Sequence, residues 1–185
     1  MKKMKRILLV GAIAVGYLVE YEIVQAEPGT PRIEGSVHVT GAVLDKGCDV
    51  PGDSKSLSIE LGQLDISSFG GMAGATSGAG VIEIPLINCP VMSGGVGIVF
   101  DGPANLSDTR LLALQGKDAA EGVGIAFYES DSTTQIPLYR QSEFKPIAEG
   151  QTAMLLRYIL KFKSTSKDMA AGTAEAVANF ALVYN

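Results

Sequence analysis

Few side chains in this 185-residue sequence could do chemistry, and their placement argues against catalysis. His38 is the only histidine, so any Ser-His-Asp or Cys-His arrangement would have to use it. A catalytic base needs a partner within hydrogen-bond reach and an enclosed setting. His38 lies instead in the alternating stretch Ile33-Glu34-Gly35-Ser36-Val37-His38-Val39, where it reads as a polar residue on the solvent side of a strand. Carboxylates are scattered, at Asp49, Asp53, Glu60, Asp65, Glu83, Asp101 and Asp108, and an acid–base pair among them would have to be made by the fold. No cluster has metal-ligand spacing. The run "GGMAGATSGAG", Gly70 to Gly80, is not a phosphate loop, because no Gly-Lys-Ser/Thr follows it and no helix opens after it. It reads as a flexible surface loop. Gly122-Val123-Gly124 is equally weak as a nucleotide motif, and Asn105-Leu106-Ser107 reads as a polar loop outside a eukaryotic secretory setting. The chain therefore reads as a non-enzyme, with no catalytic, cofactor-binding or metal-binding residue expected.

The two cysteines, Cys48 and Cys89, take their meaning from the N-terminus. Lys2, Lys3, Lys5 and Arg6 precede an apolar run from Ile7 to Val19, and Val24-Gln25-Ala26 offers a cleavage site. Residues 1–26 are thus expected to be a signal peptide, too short in its apolar part to span a bilayer. No later segment is apolar for long enough to span one, so no membrane insertion is expected. In an exported chain an even cysteine count favours a disulfide over a metal site, with two buried free thiols as the other reading. Closing a loop of about 42 residues would stabilise the fold by roughly 4 kcal/mol on the chain-entropy model. The net charge of −5 excludes the basic stripe of a nucleic-acid binder.

The elements that must position these residues are short strands. Period-2 alternation recurs at Ile33 to Gly41, Leu57 to Leu61, Ile82 to Leu86, Val96 to Phe100, Val123 to Phe127, Met154 to Phe162 and Asn179 to Tyr184. Turn-rich segments rich in Gly, Pro and Asp separate them. About seven strands at such spacing predict an all-β sandwich. Pro85 inside a good strand implies an edge position or a bulge. Leu111 to Leu114 is expected to be a helical turn. The last stretch, "NFALVYN", sets Phe180, Leu182 and Tyr184 on one face, with Ala176 and Ala178 continuing the row upstream.

Taken in order, these segments resemble a family. "GSVHVTGAVLDKGCDV" is similar to an opening strand leading to a first cysteine, and "LGQLDISSF" to the Leu-Gly segment after it. "IEIPLINCP" is similar to the strand carrying the second cysteine, with Ile82 where Phe is common. "VGIVFDGP", "LLALQG", "GVGIAFY" and the terminal "AGTAEAVANFALVYN" follow in family order. Lys46-Gly47 departs from the small residues or Ala-Pro usual before the first cysteine. The chain resembles a pilin subunit of the bacterial chaperone–usher pathway, of the type 1 fimbrial class.

The resemblance implies an incomplete immunoglobulin-like β-sandwich lacking its last strand, completed by a donor strand from another chain. It implies a pilin domain over residues 40–185 and an N-terminal donor-strand extension over 27–39. Ile33, Gly35, Val37 and Val39 match the alternating donor positions, with Gly35 at the one that must be small. Phe180, Leu182 and Tyr184 are expected to face a periplasmic chaperone, and the Asn185 carboxylate to be held by basic chaperone residues. The other implied partners are an outer-membrane usher and neighbouring pilin subunits, and the implied route runs through the periplasm to a cell-surface fimbria contributing to adhesion. The competing reading is a self-sufficient secreted immunoglobulin-like binding module. Pairing of Cys48 with Cys89 has a direct check: titration of the denatured, unreduced mature protein should find no free thiol, and finding two would sink the pairing.

Overall fold

The computed structural model describes residues 47–91 and 94–185. The expected signal peptide (1–26), the expected donor extension (27–39) with Ile33, Gly35, Val37 and Val39, and His38 lie outside the described residues.

Six strands form among the described residues: β1 (Thr76–Leu86), β2 (Val96–Asp101), β3 (Val123–Tyr128), β4 (Gln135–Ile136), β5 (Met154–Ser164) and β6 (Asn179–Tyr184). All pairings between them are antiparallel, in a four-stranded sheet of order β1-β5-β3-β4 and a two-stranded sheet of β2 and β6. The period-2 pattern does what it predicts. Ile82, Ile84 and Leu86 of β1 and Leu156, Tyr158, Leu160 and Phe162 of β5 are buried, while Val81, Glu83, Leu155 and Arg157 are exposed. Ile84 stands opposite Leu156, and Ile82 opposite Tyr158, so one face of the pair is continuous core.

Aromatic rings join the sheets. Phe100 of β2 stacks on Phe127 of β3 at 4.3 Å between centroids and meets Tyr158 of β5 edge-on at 5.5 Å. Such pairs are worth about 0.5–1.5 kcal/mol beyond their burial. The Tyr158 hydroxyl lies 3.1 Å from Ser142 Oγ, which accepts the backbone N–H of Ile98. Burial pushes the Tyr158 hydroxyl up to about 12, so it stays neutral in the core.

The Cys48–Cys89 disulfide is formed, with Cα atoms 4.1 Å apart. Beside it Asp49 and Ile87 exchange both backbone hydrogen bonds, at 2.8 and 2.9 Å, which fastens the first described segment to the end of β1. Pro85 lies on β1, an edge strand, where its missing N–H costs no ladder bond.

Three expectations need correction. Gly70 to Gly80 is not wholly a loop, because β1 begins at Thr76 and a bulge between Ser77 and Gly80 lets it start there. Gly80 is required by contact: a Cβ would lie 2.7 Å from side-chain carbons of both Ile59 and Leu61. Leu111 to Leu114 is not helical. Leu112 exchanges hydrogen bonds with Ile125 at 2.9 and 3.0 Å, and Leu111 is buried with Ala126, Tyr128 and Ile159 while Leu112 enters the main core. Opposite burial of adjacent residues is a strand habit, and the tertiary pairing overrides the local helical signal. Finally, the alternation at Leu57 to Leu61 is present, with Ile59 and Leu61 packed on the core, but the segment has no ladder partner among the described residues.

Burial sets a mutational contrast. Ile84 is fully buried and Leu155 is 54% exposed on the same sheet. Ile84→Ala should cost about 2–5 kcal/mol in denaturant unfolding, whereas Leu155→Ala should stay within about 0.5 kcal/mol.

Candidate functional site: an apolar groove beside the last strand

The feature that stands out is an open groove in which, among the described residues, one wall has no ladder partner and the other, β6 with the residues before it, is paired with β2 on one side only. One wall is the unpaired run with Leu57, Ile59 and Leu61, and the other carries Ala176, Ala178 and Phe180. Between them Ile82, Ile125, Phe127 and Leu160 form the floor of a cavity of about 390 Å³. The walls continue past Leu64 and Ile66 on one side and Ala170 and Ala174 on the other, around a cavity of about 520 Å³ floored by Phe69, Val123 and Phe162. In the other direction a third cavity of about 380 Å³ lies among Val50, Lys55, Phe180 and Leu182. The floor belongs to the core: Ile82, Ile125, Phe127 and Leu160 keep 1–8% of their surface and pack in one cluster with the fully buried Ile84 and Leu86.

The wall made by β6 is held from one side only. Phe180, Leu182 and Tyr184 stand opposite Phe100, Ile98 and Val96 of β2. All three are half-buried and packed on the core, as are Ala176 and Ala178. The far edge of β6 has no ladder partner among the described residues. The corresponding edge of β2 is covered. Tyr139 and Ser142 donate backbone N–H groups to Phe100 and Ile98 at 2.9 and 2.8 Å, and Lys145 exchanges both bonds with Val96. Buried Glu129 holds that covering segment, accepting the N–H of Glu143 at 2.7 Å and pairing with the Lys145 ammonium at 3.4 Å. The molecule thus seals one edge of its small sheet and leaves the other open.

At the end of β6 the Tyr184 hydroxyl accepts the backbone N–H of Cys48 at 2.8 Å. Its ring lies over Gly47, where a Cβ would come within 2.6–2.7 Å of Tyr184 Oη, Cε2 and Cζ. This explains the glycine before the first cysteine, which the sequence pattern had shown only as a departure. The Asn185 N–H donates to the Gly95 carbonyl at 3.3 Å.

The carboxylates and polar motifs noted in the sequence serve local structure. Asp65 accepts the Ser67 N–H, Asp101 accepts from Asn179 Nδ2 at 2.9 Å, and Glu83 pairs with Arg157 at 3.8 Å. Arg110 makes a two-pronged contact to Asp108 at 2.9 and 2.8 Å, and that guanidinium holds the Asp108 carboxyl below its ordinary range. Asn105 donates to the Val123 carbonyl and accepts from the N–H groups of Ser107 and Asp108, so it shapes its own loop.

What such a groove can do is bind an extended chain. Unpaired backbone on each wall offers ladder hydrogen bonds, and an apolar floor offers places for every second side chain. The wall at Leu57 to Leu61 and the floor at Ile125 and Leu160 were not marked as functional by the sequence pattern. Their signal was an alternating strand for which the chain supplies no neighbour.

Comparison with known proteins agrees with this geometry. The fimbrial protein family model matches residues 37–185. The fimbrial-like protein YcbU of Escherichia coli K12 is 32% identical over 153 residues, covering 80% of this chain and 83% of that protein. A type 1 fimbrial subunit of Salmonella typhimurium is 29% identical, covering 98% of this chain and all of that one. Among solved structures, the P pilus rod subunit PapA superposes with a TM-score of 0.62 at 23% identity, covering 76% of this chain and 100% of PapA. A subunit in a chaperone–usher pilus structure gives the same TM-score at 24% identity, covering 86% of this chain and 100% of its own. The fold is the immunoglobulin-like sandwich of pilins, and the chain belongs to the fimbrial protein family, a structural and non-enzymatic family whose subunits are exported and assembled into fimbriae on the cell surface.

Proposed function

We propose that this subunit is built into its fimbria by donor-strand complementation and exchange, through a periplasmic chaperone and an outer-membrane usher, and that the fimbria contributes to adhesion. The observation that carries the proposal is the groove between Leu57–Leu61 and β6, open to the core, where among the described residues the first wall has no ladder partner and β6 is paired on its β2 side only. The chaperone lends a strand to β6, covering the row Phe180, Leu182 and Tyr184, with basic chaperone residues at the Asn185 carboxylate. In the fibre the extension 27–39 of a neighbouring subunit replaces that strand. Ile33, Val37 and Val39 then enter the groove, and Gly35 crosses where the floor is shallow. Fully burying an aliphatic side chain contributes about 1.5–3 kcal/mol, so three such residues supply several kcal/mol, and ladder hydrogen bonds add about 1 kcal/mol each. The open edge also explains why a chaperone is needed, since an apolar edge strand left bare invites aggregation.

Two substitutions test the two halves of this exchange. Tyr184→Ser should reduce co-purification with the cognate chaperone and leave the subunit degraded or aggregated in the periplasm. Full recovery of this variant, together with a stable soluble monomer made without chaperone, would instead indicate a self-sufficient binding module. Gly35→Leu should preserve the chaperone complex, because the extension is not part of the subunit's own core, yet block that subunit from completing a neighbour. Loss of the chaperone complex in Gly35→Leu would place the segment in the subunit's own sandwich and overturn the donor role.

A further inference from the structure

The two ends of the groove carry opposite charge. Lys55 closes the 3-10 helix Gly52–Lys55 and is exposed. It borders both the cavity beside Leu57 and the one beside Leu182, and among the described residues no other charged side chain lines either. The cavity at the opposite end is bordered by exposed Glu121 and Glu175, and by no Lys or Arg among the described residues. None of the three has an ion-pair partner among the described residues. Other charges nearby do not offset them. Asp53 and Glu60 do not border the groove, Asp101 accepts from Asn179, and Lys117-Asp118 and Lys167-Asp168 pair opposite signs in sequence. An open strand edge and an apolar floor are nearly indifferent to direction. Backbone can pair parallel or antiparallel, and an alternating apolar row looks the same from either end. Unlike charges at the two ends are not indifferent.

From this asymmetry we infer that the groove selects the direction of the strand it takes by charge. The occupant is an extended segment of another chain, apolar at every second position, with a carboxylate toward Lys55 and a cationic side chain toward Glu121 and Glu175. The inference rests on the donor-strand reading above and adds a specificity to it. Exposed ion pairs are weak and screened, so these three residues contribute little to affinity. Their effect lies in discrimination, because a strand entering backwards sets like charges against each other at both ends. The chain runs from Glu175 through β6 to Leu182. A strand whose acidic residue precedes its basic one therefore lies antiparallel to β6, and the reverse order lies parallel to it.

The test offers synthetic peptides to the full-length subunit, purified as its chaperone complex, at low salt. Two peptides share one alternating apolar row and one composition. In the first a glutamate stands near the N-terminus with a lysine about four residues later, so that both leave the apolar face free, and in the second the two are exchanged. Each carries a photo-crosslinker at its N-terminus, and the attachment site is mapped by mass spectrometry. The glutamate-first peptide should attach near Phe180 and Leu182, and the lysine-first peptide near Met169 to Glu175, each with about a three- to ten-fold preference for its end. The preference should vanish in about 1 M salt, where screening acts within about 3 Å. In the triple variant Lys55→Glu, Glu121→Lys, Glu175→Lys the two ends should exchange. Attachment of both peptides at one end, a preference that survives high salt, or unchanged ends in the triple variant overturns the inference. Should the triple variant fail to fold, the salt series on the wild-type subunit decides the question. A third peptide with glutamine at both positions separates the two claims. If the groove does not capture it, the donor-strand reading fails and takes the inference with it. If it is captured while the charged peptides share one end, the inference alone fails.

Discussion

Among the described residues, the core of this protein lies open along a line beside β6. Ile82, Ile125, Leu160, Val123 and Phe162 belong to the same apolar cluster as the fully buried Ile84, Leu86 and Tyr158, but they form the floor of an open groove. Apolar area in contact with water costs roughly 25 cal/mol per Å², and two rows of unpaired backbone beside it add the desolvation problem of any strand edge. Nothing in the described residues resolves this. The Leu57–Leu61 run packs its alternate side chains but finds no ladder, and β6 finds one on a single side. The rest of the structure follows from having to hold such a gap open without collapsing into it.

The supports are visible on both walls. The disulfide and the Asp49–Ile87 bonds fasten the first segment to β1, so the wall running on to Leu61 is anchored at its root. Ile59 and Leu61 settle over Gly80, which fixes that wall from below. β6 is held in register by β2, and β2 is braced from behind by residues 139–145, which buried Glu129 keeps in place through the Glu143 N–H and the partly exposed Lys145 ammonium. The Phe100–Phe127–Tyr158 cluster then ties the small sheet to the large one. Among the described residues no strand lies between the two walls.

The open groove beside β6 contrasts with the β1 edge of the large sheet. Among the described residues β1 also has a free edge along much of its length, yet it carries Pro85, which cannot donate a ladder bond, and an exposed Glu83 paired with Arg157. Proline and charge on an edge strand discourage pairing with another chain. β6 carries neither on its inward row. The same fold thus protects one edge and offers the other, and the difference lies in a few side chains.

Much of this was legible in the residues. Alternation located the strands at 82–86, 96–100, 123–127, 154–162 and 179–184, because a half-buried strand must present every second side chain to the core. Pro85 announced an edge or a bulge, of which the fold chose the edge, two cysteines in an exported chain favoured a disulfide, and the row Phe180, Leu182, Tyr184 was visible as the last apolar face. What the sequence could not decide was anything that depends on a partner distant along the chain. The start of β1 inside a glycine-rich run depends on Ile59 and Leu61 filling the space above Gly80. The extended state of Leu111–Leu114 depends on Ile125 offering it hydrogen bonds. The need for glycine at 47 depends on a tyrosine 137 positions later, since their contact is made only when β6 docks. Local pattern reports which face of a segment is apolar. Only the packed structure reports whether something covers that face, and along this groove nothing in the described chain does.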